Sequence, residues 1–229
     1  MKYMGSKRRI SRYILPFILQ GRRIGQYYVE PFVGGGNMIE NVRGPRIGAD
    51  INPYLIEALK LIRDDPHSLP DSITEEEYRA LKTARVINGL TGYAGFTMSF
   101  GAQFLKNYAR NKKNSDYAAE AKRSALKQSP KLRGVELVCS KYSDLDIPDR
   151  SIIYCDPPYA SAAGYKTGKF NHEEFYQWCR WKHAECHQIF ISEYNMPSDF
   201  KCVWMRAQTT NINNAGRHRK TDVEKLYAL

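Results

Sequence analysis

Ser151-Ile152-Ile153-Tyr154-Cys155-Asp156-Pro157-Pro158-Tyr159 joins an apolar run to an acid, two prolines and an aromatic. The run reads as a buried strand. Each proline has a fixed φ and no N–H, and the first also restricts the residue before it. The turn is therefore stiff and presents carbonyl oxygens that no neighbouring amide claims. Asp156 and a proline carbonyl are placed to accept the hydrogens of an amino group, and Tyr159 to stack on the ring that carries it. A plain strand-ending turn needs only the acid and the prolines. The aromatic, and a glycine-rich loop upstream, separate the two readings.

That loop is Tyr28-Val29-Glu30-Pro31-Phe32-Val33-Gly34-Gly35-Gly36-Asn37. Again an apolar strand ends in an acid and a proline. Three glycines after a strand let the backbone approach a ligand closely and turn into a helix. The spacing is neither the dinucleotide fingerprint nor a Walker loop. Further on, Arg46-Ile47-Gly48-Ala49-Asp50-Ile51-Asn52 reads as a second strand ending in Asp50. An acid at that tip is placed to bind both hydroxyls of a ribose. Asp50 also suits the N-cap of a helix beginning near residue 53, and the two roles are compatible.

Strand character recurs at 26–30, 46–50, 135–139, 152–155, 189–192, 202–205 and 223–227, with helices expected at 6–19, 53–63 and 173–186. Strands alternating with helices predict an α/β fold on a largely parallel, doubly wound sheet. A polar, helix-rich section from 65 to 134 interrupts it as an insertion. Within that section 89–96 looks too glycine-rich for a core helix. Its aromatics Tyr93, Phe96, Phe100, Phe104 and Tyr108 interleave with Lys106, Arg110, Lys112 and Lys113. Most of the aromatics are expected to form the insertion's own core, and the basic residues to meet a polyanion.

The chain has 229 residues, 42% apolar, and a net charge of +11. That length suffices for one α/β domain with a modest insertion. No stretch approaches about 20 continuous apolar residues, so no membrane span is expected. Nor is a signal peptide expected ahead of Lys2. The five cysteines form no C-x-x-C pair and read as free thiols. Cys179, His183, Cys186 and His187 fall on one expected helix, which rarely closes a tetrahedral metal site alone, so packing on the sheet is preferred and no metal is expected. Basic clusters at 7–12, 22–23, 106–113 and 217–220 favour a nucleic-acid partner.

Glu-Pro-Phe-x-Gly-Gly-Gly, then Ala-Asp-Ile-Asn, then Asp-Pro-Pro-Tyr, in this order, resembles the Dam-type (class alpha, D12) DNA N6-adenine methyltransferases. The opening Lys2-Tyr3-Met4-Gly5-Ser6-Lys7-Arg8 is similar to their N-terminal signature, with Ser6 at a more usual glycine, and Ile191-Ser192-Glu193-Tyr194-Asn195 to a later strand. The resemblance implies a Rossmann-like S-adenosylmethionine-dependent methyltransferase sheet formed by 1–64 and 135–229, with a helical DNA-recognition subdomain over 65–134. It implies methyl transfer from S-adenosylmethionine to adenine N6 in duplex DNA. Tyr3, Lys7, Glu30, Phe32, Gly34, Gly36, Asp50, Tyr142 (or Asp144 beside it) and Asp156 would meet the cofactor. Asp156, Pro157, Pro158 and Tyr159 would be catalytic. Lys7, Arg110, Lys112 and Asn195 would touch DNA, although Lys7 equally suits the active site and Asn195 a turn before Pro197.

The chemistry has definite needs. The N6 lone pair is delocalised into the ring, so hydrogen bonds from N6 to Asp156 and the Pro157 carbonyl would favour the tetrahedral, positively charged nitrogen. Transfer would be direct and in line, on a base flipped out of the duplex and stacked on Tyr159. The resemblance further implies a monomer acting in a bacterial or phage-infected cytoplasm, solitary or beside a restriction system, with no obligate protein partner. Competing readings are an N4-cytosine or RNA adenine methyltransferase, which favour Ser or Asn at the first turn position, and a DNA-binding relative without catalysis.

Overall fold

The computed structural model describes residues 1–110, 116–158, 170–209 and 221–229. The chain is mixed α/β with a seven-stranded sheet. In chain order its elements are α1 (Ser11–Ile18), β1 (Tyr28–Glu30), β2 (Arg46–Asp50), α2 (Pro53–Asp64), α3 (Glu75–Ala84), α4 (Gly89–Thr97), α5 (Tyr117–Leu132), β3 (Val135–Cys139), β4 (Ile152–Cys155), α6 (His172–Ala184), β5 (Gln188–Ser192), β6 (Lys201–Thr209) and β7 (Thr221–Ala228). Two compact units share them. Met1–Arg12 and Glu30–Asp146 form the first, Tyr13–Val29 and Ile147–Leu229 the second.

In the first unit β2 and β3 pair in parallel, from Arg46 opposite Val135 to Asp50 opposite Cys139. Arg46 is buried, and its guanidinium donates to the carbonyls of Ile39 at 3.2 Å, Lys131 at 3.0 Å and Arg133 at 2.6 Å. Those bonds offset the cost of burying the charge and pin the end of α5 to the start of β2. Asn52 caps α2 by accepting from Tyr54 N at 3.1 Å, with Pro53 at the first helical position. Asp50 is therefore not the cap. Thr74 and Glu77 start α3 with a capping box.

The glycine-rich stretch from 89 is a buried helix, α4, against the expectation of a non-core segment. Gly89, Gly92 and Gly95 recur every three residues, so they line one helix face. A Cβ at Gly92 would lie 1.9 Å from the Tyr54 carbonyl oxygen, and one at Gly95 would lie 2.4 Å from the Phe104 ring. The glycines allow α2 and Phe104 to approach the helix backbone. This close approach offsets the poor helix propensity of glycine, about 1 kcal/mol per residue. The expected helix over 6–19 is also broken. A 3-10 turn at Lys7–Arg9 comes first, and the Ser11 hydroxyl donates to its Arg8 carbonyl at 3.1 Å before α1 continues.

In the second unit β1, β4 and β5 are parallel neighbours, Tyr28 opposite Ile152 and Ile152 opposite Gln188. β7 pairs antiparallel with both β5 and β6. The parallel expectation thus stops at β5. The chain between Thr209 and Thr221 is shorter than the crossover of about a dozen or more residues that a parallel pair requires. α6 buries Phe175, Tyr176, Trp178 and Cys179. It ends at Ala184, so Cys186 and His187 leave the helix axis. His187 is buried, its Nδ1 accepts from Ser151 N at 3.0 Å, and burial lowers its pKa. Among the described residues no group of three or more metal-ligating side chains gathers, and no helix is long and apolar enough to cross a membrane.

Candidate active site

In the first unit, contacts join Tyr3 to Gly34, Gly34 to Asp50, and Phe32 to Tyr142, around the carboxyl ends of β1 and β2. Glu30 ends β1 with 2% exposure and leads through Pro31 into the glycine loop. The loop is tied to β2 where Val33 N donates to Ala49 O at 2.8 Å, and it closes on itself where Gly36 N donates to Val33 O at 2.9 Å. Gly34 has φ +49°, and a Cβ there would lie 3.0 Å from the Tyr3 ring. Tyr3 therefore rests directly on the loop. Its own ring packs on Phe96, with centroids 5.6 Å apart. Phe32 meets Tyr142 in the same way at 5.4 Å. Tyr142 is buried, whereas Asp144 is exposed and accepts from Ser143 Oγ. Of the two candidates after β3, Tyr142 faces the loop.

Asp50 sits at the tip of β2. Its Oδ2 accepts from Gly34 N at 3.4 Å and its Oδ1 from Asn52 N at 3.0 Å. Burial raises its pKa to about 6, and the two amide hydrogen bonds act in the opposite sense. A carboxylate held this way gains from further hydroxyl donors, since each favours its charged form. Lys7 is 7% exposed, so it lies within the fold rather than on the surface. Its turn is capped by Ser6, whose Oγ accepts from Arg8 N at 3.3 Å.

In the second unit β4 is buried throughout and delivers Asp156, half-buried, then buried Pro157 and half-buried Pro158. Tyr159 and Lys112 lie outside the described residues, as do the basic cluster at 217–220 and the loop at 160–166. Below the turn the Tyr154 hydroxyl and Ser192 Oγ are 2.7 Å apart, joining β4 to β5. β5 then delivers Glu193, 2% exposed, whose Oε2 accepts from Tyr194 N at 2.8 Å. Glu193 was not assigned a role from the sequence. The signal was present: an acid follows an apolar strand at Glu30, Asp50 and Asp156, and Glu193 repeats the pattern. Asn195 is exposed and accepts from Lys225 Nζ at 3.4 Å.

The insertion's residues divide. Tyr93 and Phe96 are buried, Phe104 and Tyr108 half-buried, and Phe100 is 73% exposed. Arg110 is exposed and pairs with Glu75. A cleft of about 720 Å³ lined by Arg63, His67, Ser129 and Arg133 holds none of the predicted residues.

A family model described as D12 class N6 adenine-specific DNA methyltransferase matches residues 3–85 and 84–215. A DNA adenine methylase of Vibrio cholerae serotype O1 is 27% identical over 194 residues, 70% of this chain and 64% of that protein. A DNA N-6-adenine-methyltransferase of Escherichia phage P1 is 25% identical over 192 residues, 69% of this chain and 23% of that protein. The chain thus spans less than two thirds of the length of these curated relatives.

Proposed function

The chain belongs to the D12 class N6 adenine-specific DNA methyltransferase family, and from that premise we propose that it transfers a methyl group from S-adenosylmethionine to adenine N6 in duplex DNA. The observation that carries the reading is the pairing of Asp50 with the glycine loop through Gly34 N in the first unit; the second unit, by itself, carries an acid-proline-proline turn at the end of a wholly buried strand.

The residues fit the cofactor by their chemistry. Gly34, held at positive φ under Tyr3, leaves no room for a side chain, and the Asp50 carboxylate has oxygens to offer a ribose diol. Phe32 and Tyr142 supply apolar faces for an adenine ring, and Glu30 and Lys7 are buried charges suited to the zwitterionic end. When bound, S-adenosylmethionine supplies an electrophilic methyl group on a sulfonium, which demands in-line attack.

Asp156 accepts a hydrogen from N6 and the Pro157 carbonyl accepts the other. Together they free the nitrogen lone pair and stabilise the positive charge that develops on it. The rigid prolines hold both acceptors in place before substrate arrives, so little reorganisation is needed. Tyr159 stacks on the flipped base. After transfer, Asp156 is the group placed to take the surplus proton. Residues 1–64 and 135–229 form the catalytic domain in this reading, and 65–134 reads the target, with Arg110, Lys112 and Asn195 on DNA. The enzyme acts as a cytoplasmic monomer of bacterial or phage origin.

The test is incubation of wild type and Asp156→Ala with unmethylated duplex DNA and methyl-labelled S-adenosylmethionine. Label in DNA with wild type and none with the variant is expected. Label from neither, or equally from both, overturns the reading.

A further inference from the structure

Four cations and one carboxylate line a cleft of about 350 Å³ in the first unit. Glu75, Arg79 and Lys82 stand at i, i+4 and i+7 of α3, so one helix face presents all three. Lys106 and Arg110 come from the loop after α4. The floor is fixed by aromatics. The Tyr78 and Tyr108 rings are 5.5 Å apart, the Tyr78 hydroxyl lies 2.5 Å from Ser99 Oγ, and the Tyr108 hydroxyl donates to Ile73 O at 2.6 Å. A bridge between Ser99 and Tyr108, and the bond from Ala109 N to Met98 O at 2.8 Å, hold the segment that ends in Arg110. Lys82 Nζ donates to Lys106 O at 3.0 Å across the rim.

Arg110 grips Glu75 with two parallel bonds, Nε to Oε2 at 2.9 Å and Nη2 to Oε1 at 3.0 Å. Arg79 Nη2 reaches Oε1 of the same carboxylate at 2.7 Å. A guanidinium fork fits a carboxylate and a phosphate alike. Both arginine side chains are more than 70% exposed, so these pairs are solvent-screened and contribute little to stability. Four cations against one carboxylate leave the cleft with a surplus of positive charge, and its open face suits a polyanion.

We propose that this cleft is a backbone-phosphate subsite for DNA, and that Glu75 occupies it as an internal stand-in which a phosphate displaces. The proposal rests on the reading of the chain as a DNA methyltransferase. On DNA, Arg79 and Arg110 exchange the carboxylate for phosphate oxygens, while Lys82 and Lys106 add charge at the rim. Contacts of this kind position the duplex without reading its sequence. The carboxylate sets the strength of that grip, because each phosphate must compete with an anion already held between the two forks.

Duplex binding is measured by fluorescence anisotropy across a range of salt for wild type, Glu75→Gln, Arg79→Ala and Arg110→Ala, with methyl transfer to unmethylated DNA followed in the same preparations. All three side chains reach solvent, and circular dichroism checks that each variant folds. Glu75→Gln is expected to bind about threefold to tenfold tighter at low salt. Arg79→Ala and Arg110→Ala are each expected to flatten the slope of log affinity against log salt by about one. Glu75→Gln binding no tighter than wild type overturns the proposal, since the carboxylate then only orients the arginines. Unchanged salt slopes in both arginine variants overturn it as well. If wild type still binds and methylates DNA in either case, the proposed activity stands and only this subsite falls. Wild type that does neither removes the activity and the subsite together.

Discussion

Replacing Asp50 with asparagine should make the protein more stable at neutral pH and poorer at holding its cofactor. The ordinary carboxyl value of 3.8 is raised to about 6 in the fold. A difference of about 2 units corresponds to about 3 kcal/mol. The folded state binds the Asp50 proton more tightly than the unfolded chain does. Its proton therefore stabilises the fold fully below about pH 3.8, and that contribution is lost as pH rises through about 6. Above that range the ionised Asp50 costs the fold about 3 kcal/mol relative to its acidic state. Asn52 N retains an acceptor in Asp50→Asn, but Gly34 N faces an amide instead of an anion, which returns about 1 kcal/mol of the gain. Urea unfolding near pH 8 should show the variant about 1 to 2 kcal/mol more stable, and near pH 4 the two should coincide. In parallel, calorimetric titration with S-adenosylmethionine should show wild-type affinity about tenfold weaker near pH 5 than near pH 8, with the variant weak and flat. A variant less stable than wild type near pH 8, or a wild-type affinity indifferent to pH, would falsify the view of Asp50 as a strained cofactor ligand.

Other perturbations test other links. Gly92→Ala forces a methyl group to within 1.9 Å of the Tyr54 carbonyl, so α4 must move away from α2. A loss of about 1 to 3 kcal/mol is expected despite alanine's better helix propensity, and an unchanged urea midpoint would remove the close-packing explanation. Arg46→Ala deletes three charge-assisted bonds, to the carbonyls of Ile39, Lys131 and Arg133, and should cost about 3 kcal/mol, read from the same unfolding curves. Asp156→Asn keeps the shape of the turn but removes its charge; kcat should fall about 10²- to 10³-fold with the thermal midpoint unchanged. A variant that retains wild-type kcat would mean that the carboxylate charge does not assist transfer.

The strands were the legible part of this sequence. β2, β3 and β4 begin and end where the sequence places them: β2 and β4 are buried along nearly their whole length, while β3 alternates buried and exposed positions. The acids at the ends of β1, β2 and β4 marked Glu30, Asp50 and Asp156, and the structure gathers Tyr3, Phe32, Gly34, Asp50 and Tyr142 in one unit. α4 was misread because glycine lowers helix propensity locally, while its compensation comes from α2, a partner distant in sequence. The antiparallel turn of β6 and β7 was missed because local patterning carries no strand direction. The hold of Glu75 on Arg110 joins residues that sequence spacing does not connect. The burial of Lys7 was equally hidden, since a lysine in a basic cluster reads as surface.

The central claim is that the methyl group lands on adenine N6, and the most direct measurement is mass spectrometry of nucleosides from duplex DNA treated with the protein and deuterated S-adenosylmethionine. The account predicts deuterated N6-methyldeoxyadenosine and no label on deoxycytidine. Label on cytosine N4, or on no base while the protein binds S-adenosylmethionine, would contradict it.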